Sequence, residues 1–219
     1  MDSRILRWTG VACFACASAI VNASEFAYVE PMFKDLTPGV PGDELTITPQ
    51  LGWVDNDGDD YPDKLRLAFN VWEAGSKTKL LQTDKITVNT PTLPCLAPTD
   101  IEEEVGIRLM GASSPNRVHM LVDIEVQCDD GVNFGLEAEK AIWYSANVET
   151  GSSYKRAWPG WGVFGSNSVD WDDDGNNELQ LILENNTATG DTTKFRVIYM
   201  RFGGKVEADN TYNAEFFNY

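Results

Sequence analysis

The chain has 219 residues, 34 acidic against 17 basic side chains, one histidine, and a net charge of −17. Such an acidic surface repels nucleic acid and anionic lipid, so neither is an expected partner, and it suits divalent cations, each of which cancels two charges. Aromatic and apolar residues, at 11% and 42% of the chain, are too plentiful for an acidic disordered segment.

The first 23 residues read as a secretory signal, and an exported protein is the expectation. Arg4 and Arg7 precede an apolar run from Trp8 to Val21, and Val21-Asn22-Ala23 supplies small residues for cleavage. That run is shorter than the roughly 20 residues a membrane helix requires, and no later one is longer. Cleavage leaves about 200 residues, enough for one large domain or two small ones. Cys13 and Cys16 leave with the signal. The remaining pair, Cys95 and Cys128, reads as one disulfide in an oxidising compartment.

An acidic loop, Asp55-Asn56-Asp57-Gly58-Asp59-Asp60-Tyr61-Pro62-Asp63, comes first among the ordered elements. Behind it, Leu65, Leu67, Phe69 and Val71 alternate with Arg66, Ala68, Asn70 and Trp72, the two-residue period of a half-buried strand. A turn at 73–76 leads to a returning strand over 79–88. Pro91, Pro94 and Pro98 mark an irregular connection around Cys95, and residues 105–110 and 117–126 form a strand pair. Residues 137–144 fit a helix or a strand equally.

A second acidic loop follows, Asp170-Trp171-Asp172-Asp173-Asp174-Gly175-Asn176-Asn177-Glu178, and runs into alternating Leu179, Leu181 and Leu183. A polar turn over 184–194, a strand over 195–202 and an aromatic tail with Tyr212, Phe216, Phe217 and Tyr219 complete the chain. The pattern predicts an all-β protein of antiparallel sheets. It divides either into regions 24–150 and 151–219 or into one continuous domain.

Each loop places acidic groups at positions 1, 3, 5 and 9, with a backbone carbonyl available at 7. Calcium takes six to eight oxygens at roughly 2.3–2.6 Å, and this spacing wraps one ion. The expected ligands are Asp55, Asp57, Asp59, Tyr61 and Asp63 for one Ca2+, and Asp170, Asp172, Asp174, Asn176 and Glu178 for a second. The EF-hand is excluded: Arg66 and Leu181 stand where its position-12 glutamate belongs, and strands flank both loops.

The loops resemble those of the FG-GAP/VCBS repeats of integrin-type β-propellers, in which D-x-D-G-D-x-x-x-D precedes a strand. Residues 55–71 keep that pattern. Residues 160–204 match a whole unit, from Gly162-Val163-Phe164-Gly165 through the second loop to a strand ending at Gly204. The likeness covers about 90 residues and departs at Asp173, where glycine is usual, and at Glu178. It implies a blade-like architecture, a small or incomplete propeller, while the 64–88 hairpin and the cysteines suit a β-sandwich equally.

No nucleophile motif accompanies the lone His119, which reads as an ordinary strand residue, and Glu102-Glu103-Glu104 reads as a solvated run; an enzyme is not expected. Trp158 and Trp161 either pack against a sheet or stack on sugar rings, and Asn185 begins a glycosylation sequon. The functional expectation is a secreted, calcium-stabilised structural or adhesive protein whose partners are other copies of itself, extracellular proteins or glycans. The alternative is a carbohydrate-binding module using Trp158 and Trp161, with a polysaccharide-active enzyme, which would need two suitably spaced carboxylates in a cleft, ranked behind it.

Overall fold

The computed structural model describes residues 32–35, 44–58, 61–95, 98, 100–111, 116–186, 191–201 and 203–217. The expected signal at 1–23, Asp59 and Tyr219 lie outside these residues. Among the described residues thirteen strands form three antiparallel sheets, each built from strands consecutive in the chain.

The first sheet contains β1 (Met32–Asp35), β2 (Glu44–Val54), β3 (Lys64–Glu73), β4 (Lys79–Gln82) and β5 (Ile86–Asn89). The returning strand expected over 79–88 is therefore two pieces, both paired with β3. The break has a side-chain cause. Thr83 Oγ1 accepts the Phe69 N–H at 2.8 Å, taking the place of a backbone carbonyl, and also meets the Tyr144 hydroxyl at 2.7 Å. Asp84 N–H then leaves the ladder for the Gly151 carbonyl.

The middle sheet runs β6 (Asp100–Gly111), β7 (Arg117–Asp129), β8 (Leu136–Asn147) and β9 (Ser153–Pro159). Residues 137–144 thus resolve as strand. Because β9 is the fourth strand of this sheet, residues 151–219 do not form a unit of their own. The third sheet is β10 (Gly162–Val169), β11 (Glu178–Asn186), β12 (Thr192–Met200) and β13 (Val206–Asn213), followed by a 3-10 turn at Ala214–Phe217.

Alternation in β7 and β8 directs side chains to both neighbours. Val118, Met120, Val122, Ile124 and Val126 face the first sheet, where Leu65, Leu67, Phe69 and Val71 meet them. On the opposite side Leu121, Ala141 and Trp143 pack against Leu179, Leu181, Leu183, Ile198 and Met200. Each such buried side chain contributes roughly 1.5–3 kcal/mol relative to exposure. The result is an open stack with the middle sheet covered on both faces, not the two-sheet sandwich that suited the 64–88 hairpin. The Cys95–Cys128 disulfide is formed, with Cα atoms 6.3 Å apart, and ties the proline-rich connection to β7.

Between the middle and third sheets the chain turns at Gly160 while staying bonded to β8. Gly160 N–H still bonds the Glu139 carbonyl and the Trp161 carbonyl still receives the Ala141 N–H. The backbone at Gly160 has φ +72°, open to glycine at little cost, and from Gly162 the chain lies on the face of the middle sheet. Among the described residues no helix is long and apolar enough to cross a membrane.

Candidate functional site

Both acidic loops link neighbouring strands of one sheet, β2 to β3 and β10 to β11. In the first, Asp55, Asp57 and Asp63 bring carboxylate oxygens within 4.8 Å of one another. Asp55 Oδ1 accepts the N–H groups of Asp57 and Gly58 at 3.1 and 2.8 Å, which curls the loop into a tight turn. Asp63 Oδ2 takes both the backbone and side-chain N–H of Asn56 at 2.7 Å, closing it. Tyr61 is buried and anchors the loop through its hydroxyl, 2.7 Å from the Pro91 carbonyl.

In the second loop Asp170, Asp172 and Glu178 gather within the same 4.8 Å. Asp170 receives the N–H groups of Asp174 and Gly175 at 3.1 and 3.0 Å. Glu178 is the decisive member. It is 0% exposed; one carboxylate oxygen accepts the Trp171 N–H at 3.0 Å, and the other, Oε1, is buried with no hydrogen-bond partner. An unpaired buried carboxylate oxygen is costly unless a cation satisfies it.

The two loops share a backbone feature that the sequence obscures. Position 4 is left-handed in both, with φ +78° at Gly58 and +58° at Asp173. Asp173 is the one described non-glycine residue with positive φ, and aspartate tolerates that region better than most side chains. The departure from the usual glycine therefore keeps the turn.

Asp174 is not gathered with the other three. Its carboxylate accepts the backbone N–H and side-chain amide of Asn176, which chiefly hold its pKa below the ordinary aspartate value, and it also meets Arg201 Nη2 at 2.8 Å, a smaller contribution in the same direction. Arg201 also reaches Asp172 at 3.3 Å and Glu207 at 2.5 Å. Sequence reasoning missed this arginine, which stands at the far end of β12.

The tryptophans divide. Trp158 is 5% exposed in the core between the middle and third sheets, so it has no face for a sugar; the glycan reading is corrected there by burial. Trp161 is half-buried beside the same core, with the Arg196 guanidinium 5.7 Å above its ring. His119 is fully buried and stacked 5.4 Å from Trp143, as a core residue. Asn185 donates its amide to the Gly160 carbonyl at 2.5 Å.

A second acidic feature emerges only from register. Glu104 lies opposite Glu125, and Glu125 opposite Glu139, a row of three carboxylates across β6, β7 and β8. Asp123 is two residues along β7, with Oδ2 receiving the Val163 N–H at 3.1 Å and Oδ1 buried. Burial, then the neighbouring carboxylates Asp123, Glu184, Glu125 and Glu137, push Glu139 up to about 8. Burial, offset in part by the Val163 N–H, pushes Asp123 up to about 6. No three of these oxygens gather as they do in the loops.

No family model, characterised protein or solved structure matches the chain.

Proposed function

We propose that the chain is an exported structural or adhesive β-protein in which each acidic loop holds one Ca2+. The observation carrying this reading is Glu178, fully buried beside Asp170 and Asp172 with one oxygen left unpaired. Those three residues and Asp55, Asp57 and Asp63 would supply hard oxygen ligands, the donor type calcium prefers. The ion's part is electrostatic: it neutralises clustered carboxylates and fixes the start of β3 and of β11. Loops that furnish most of the ligands leave little open coordination, which favours a structural ion over a catalytic one.

The architecture supports the same reading. Three up-and-down sheets, each contiguous in sequence and stacked on the next, form the kind of arrangement that blade repeats produce. We infer an open, blade-like array that presents broad sheet faces outward, as suits a protein that holds others together.

Calorimetric titration of chelator-treated protein should find two calcium sites and a raised melting temperature. Terbium luminescence should fall in part in Trp171→Phe, because Trp171 lies inside the second loop while Trp53 and Tyr61, beside and within the first, sensitise an ion there. Glu178→Gln should weaken the second site at least tenfold, about 1.4 kcal/mol, and leave the first unchanged. A melting curve indifferent to calcium and chelator, with no terbium signal, would sink the calcium reading.

A further inference from the structure

We propose that Arg201 sets the calcium affinity of the second loop, as a resident counterion of Asp172 and Asp174 that an arriving Ca2+ turns onto Glu207; this deepens the calcium reading above and rests on it. A guanidinium matches a carboxylate best side by side, with two parallel N–H groups on two oxygens. The third sheet contains a complete pair of this kind. Arg196 of β12 donates from Nε to Asp209 Oδ1 at 2.8 Å and from Nη2 to Asp209 Oδ2 at 2.7 Å.

Arg201, just past the end of β12, makes half of such a pair. Its Nε donates to Glu207 Oε1 at 2.5 Å, but its Nη2 turns away to Asp174 Oδ2 at 2.8 Å and Asp172 Oδ2 at 3.3 Å. Glu207 Oε2, the oxygen that Nη2 would take, is buried with no hydrogen-bond partner. The Glu207 side chain is 8% exposed, and Lys205 Nζ, at 3.3 Å, reaches Oε1 rather than Oε2. A buried, unpaired carboxylate oxygen costs free energy, so a competing attraction must hold Nη2 on the loop. The clustered carboxylates supply it. Asp170, Asp172 and Glu178 lie within 4.8 Å of one another and repel unless positive charge stands beside them.

Arg201 and Ca2+ therefore compete for the same oxygens. The ion carries twice the charge and approaches carboxylates to roughly 2.3–2.6 Å, closer than a guanidinium nitrogen does. Once it takes Asp172, Nη2 needs only to turn about the existing Nε contact to reach Glu207 Oε2. Asp174, which Arg201 draws aside, is then released to join the loop's other carboxylates at position 5. The Glu207 pair becomes as complete as that of Arg196 and Asp209. Its two partners flank the turn closed by the Arg201 N–H on the Lys205 carbonyl at 2.8 Å and the Gly204 N–H on the Arg201 carbonyl at 2.7 Å. Ion binding between β10 and β11 is in this way felt at the hairpin between β12 and β13.

Calorimetric titration with calcium of the wild type, Arg201→Gln, Glu207→Gln and the double variant tests this, the second site being the one that Glu178→Gln weakens. Arg201→Gln removes the competitor and should tighten that site about threefold to tenfold. Glu207→Gln removes the place to which the guanidinium turns and should weaken it by about as much. In the Arg201→Gln background the Glu207 change should count for less than about twofold, because its effect passes through Arg201. A Glu207 effect undiminished in that background is plain loss of charge and overturns the proposal, as does a second site indifferent to Arg201→Gln. A crystal structure of the calcium-loaded wild type needs no variant to fold. Arg201 Nη2 at about 2.8 Å from Glu207 Oε2 supports the proposal, and Nη2 still on Asp174 overturns it. Calcium binding alongside either negative result leaves the calcium reading standing; no calcium binding at either loop removes that reading and the proposal with it.

Discussion

Replacing Glu139 by glutamine should make the protein more stable in alkali and leave it unchanged in acid. Glu139 sits at the seam between the middle and third sheets, its carboxylate accepting the Asn186 amide at 3.1 Å. Its pKa rises from 4.5 to about 8 through burial and the surrounding Asp123, Glu184, Glu125 and Glu137. Two basic side chains of the same sheet are engaged elsewhere: Lys140 donates to the Asn89 carbonyl and Arg108 to Ser166. A raised carboxyl stabilises the fold fully below its unfolded value and loses that contribution as pH climbs through about 8. For a fully desolvated group the displacement would amount to about 5 kcal/mol. Solvent reaches the partly buried Glu139, and screening reduces this to about 1–2 kcal/mol. Glutamine retains the carbonyl that Asn186 bonds and removes the titration. Urea unfolding at pH 5, 7 and 9 should show the two proteins matching at pH 5. The variant should lead by about 1–2 kcal/mol at pH 9, or roughly 2–8 °C in melting temperature. Parallel pH curves, or a variant weaker than wild type at pH 9, would refute the reasoning.

Three further perturbations probe other parts of the fold. Asp173→Gly relieves a left-handed aspartate and should stabilise the calcium-free protein by about 0.5 kcal/mol in denaturant melts; a loss of that size would refute the strain account. Gly204→Ala places a methyl 2.7 Å from the Tyr154 ring at φ +88°, and should cost about 2 kcal/mol or more, with faster amide exchange along β12 and β13. Removing the Cys95–Cys128 bridge with paired alanines, which opens a loop with a sequence separation of 33, should lower unfolding free energy by about 4 kcal/mol; a change under 1 kcal/mol would refute the chain-entropy account.

Strands with one covered face were legible in the sequence because their side chains alternate in polarity, as from Leu65 to Val71 and from Leu179 to Leu183. β8 was not. Ala141 and Trp143 serve one core while Ile142 and Tyr144 serve the other, so burial on both sides erased the period. The break at Thr83 depends on a hydroxyl meeting Phe69 and Tyr144, neither nearby in sequence. Loop spacing anticipated that Asp55, Asp57 and Asp63, and likewise Asp170, Asp172 and Glu178, would cluster, since positions 1, 3 and 9 of one turn are local. It did not anticipate Arg201 drawing Asp174 aside from 27 residues away. The carboxylate row Glu104–Glu125–Glu139 depends on strand register, which no single stretch of sequence encodes.

Because every sheet is made of strands that follow one another in the chain, each hairpin closes over a short loop and contact order stays low for an all-β protein. A chain emerging amino end first from a ribosome or a narrow channel can therefore build its layers in succession. The first sheet would wait, half covered, until β7 and β8 arrive, and the middle one until β11. Assembly becomes a vectorial process in which each layer is the template for the next.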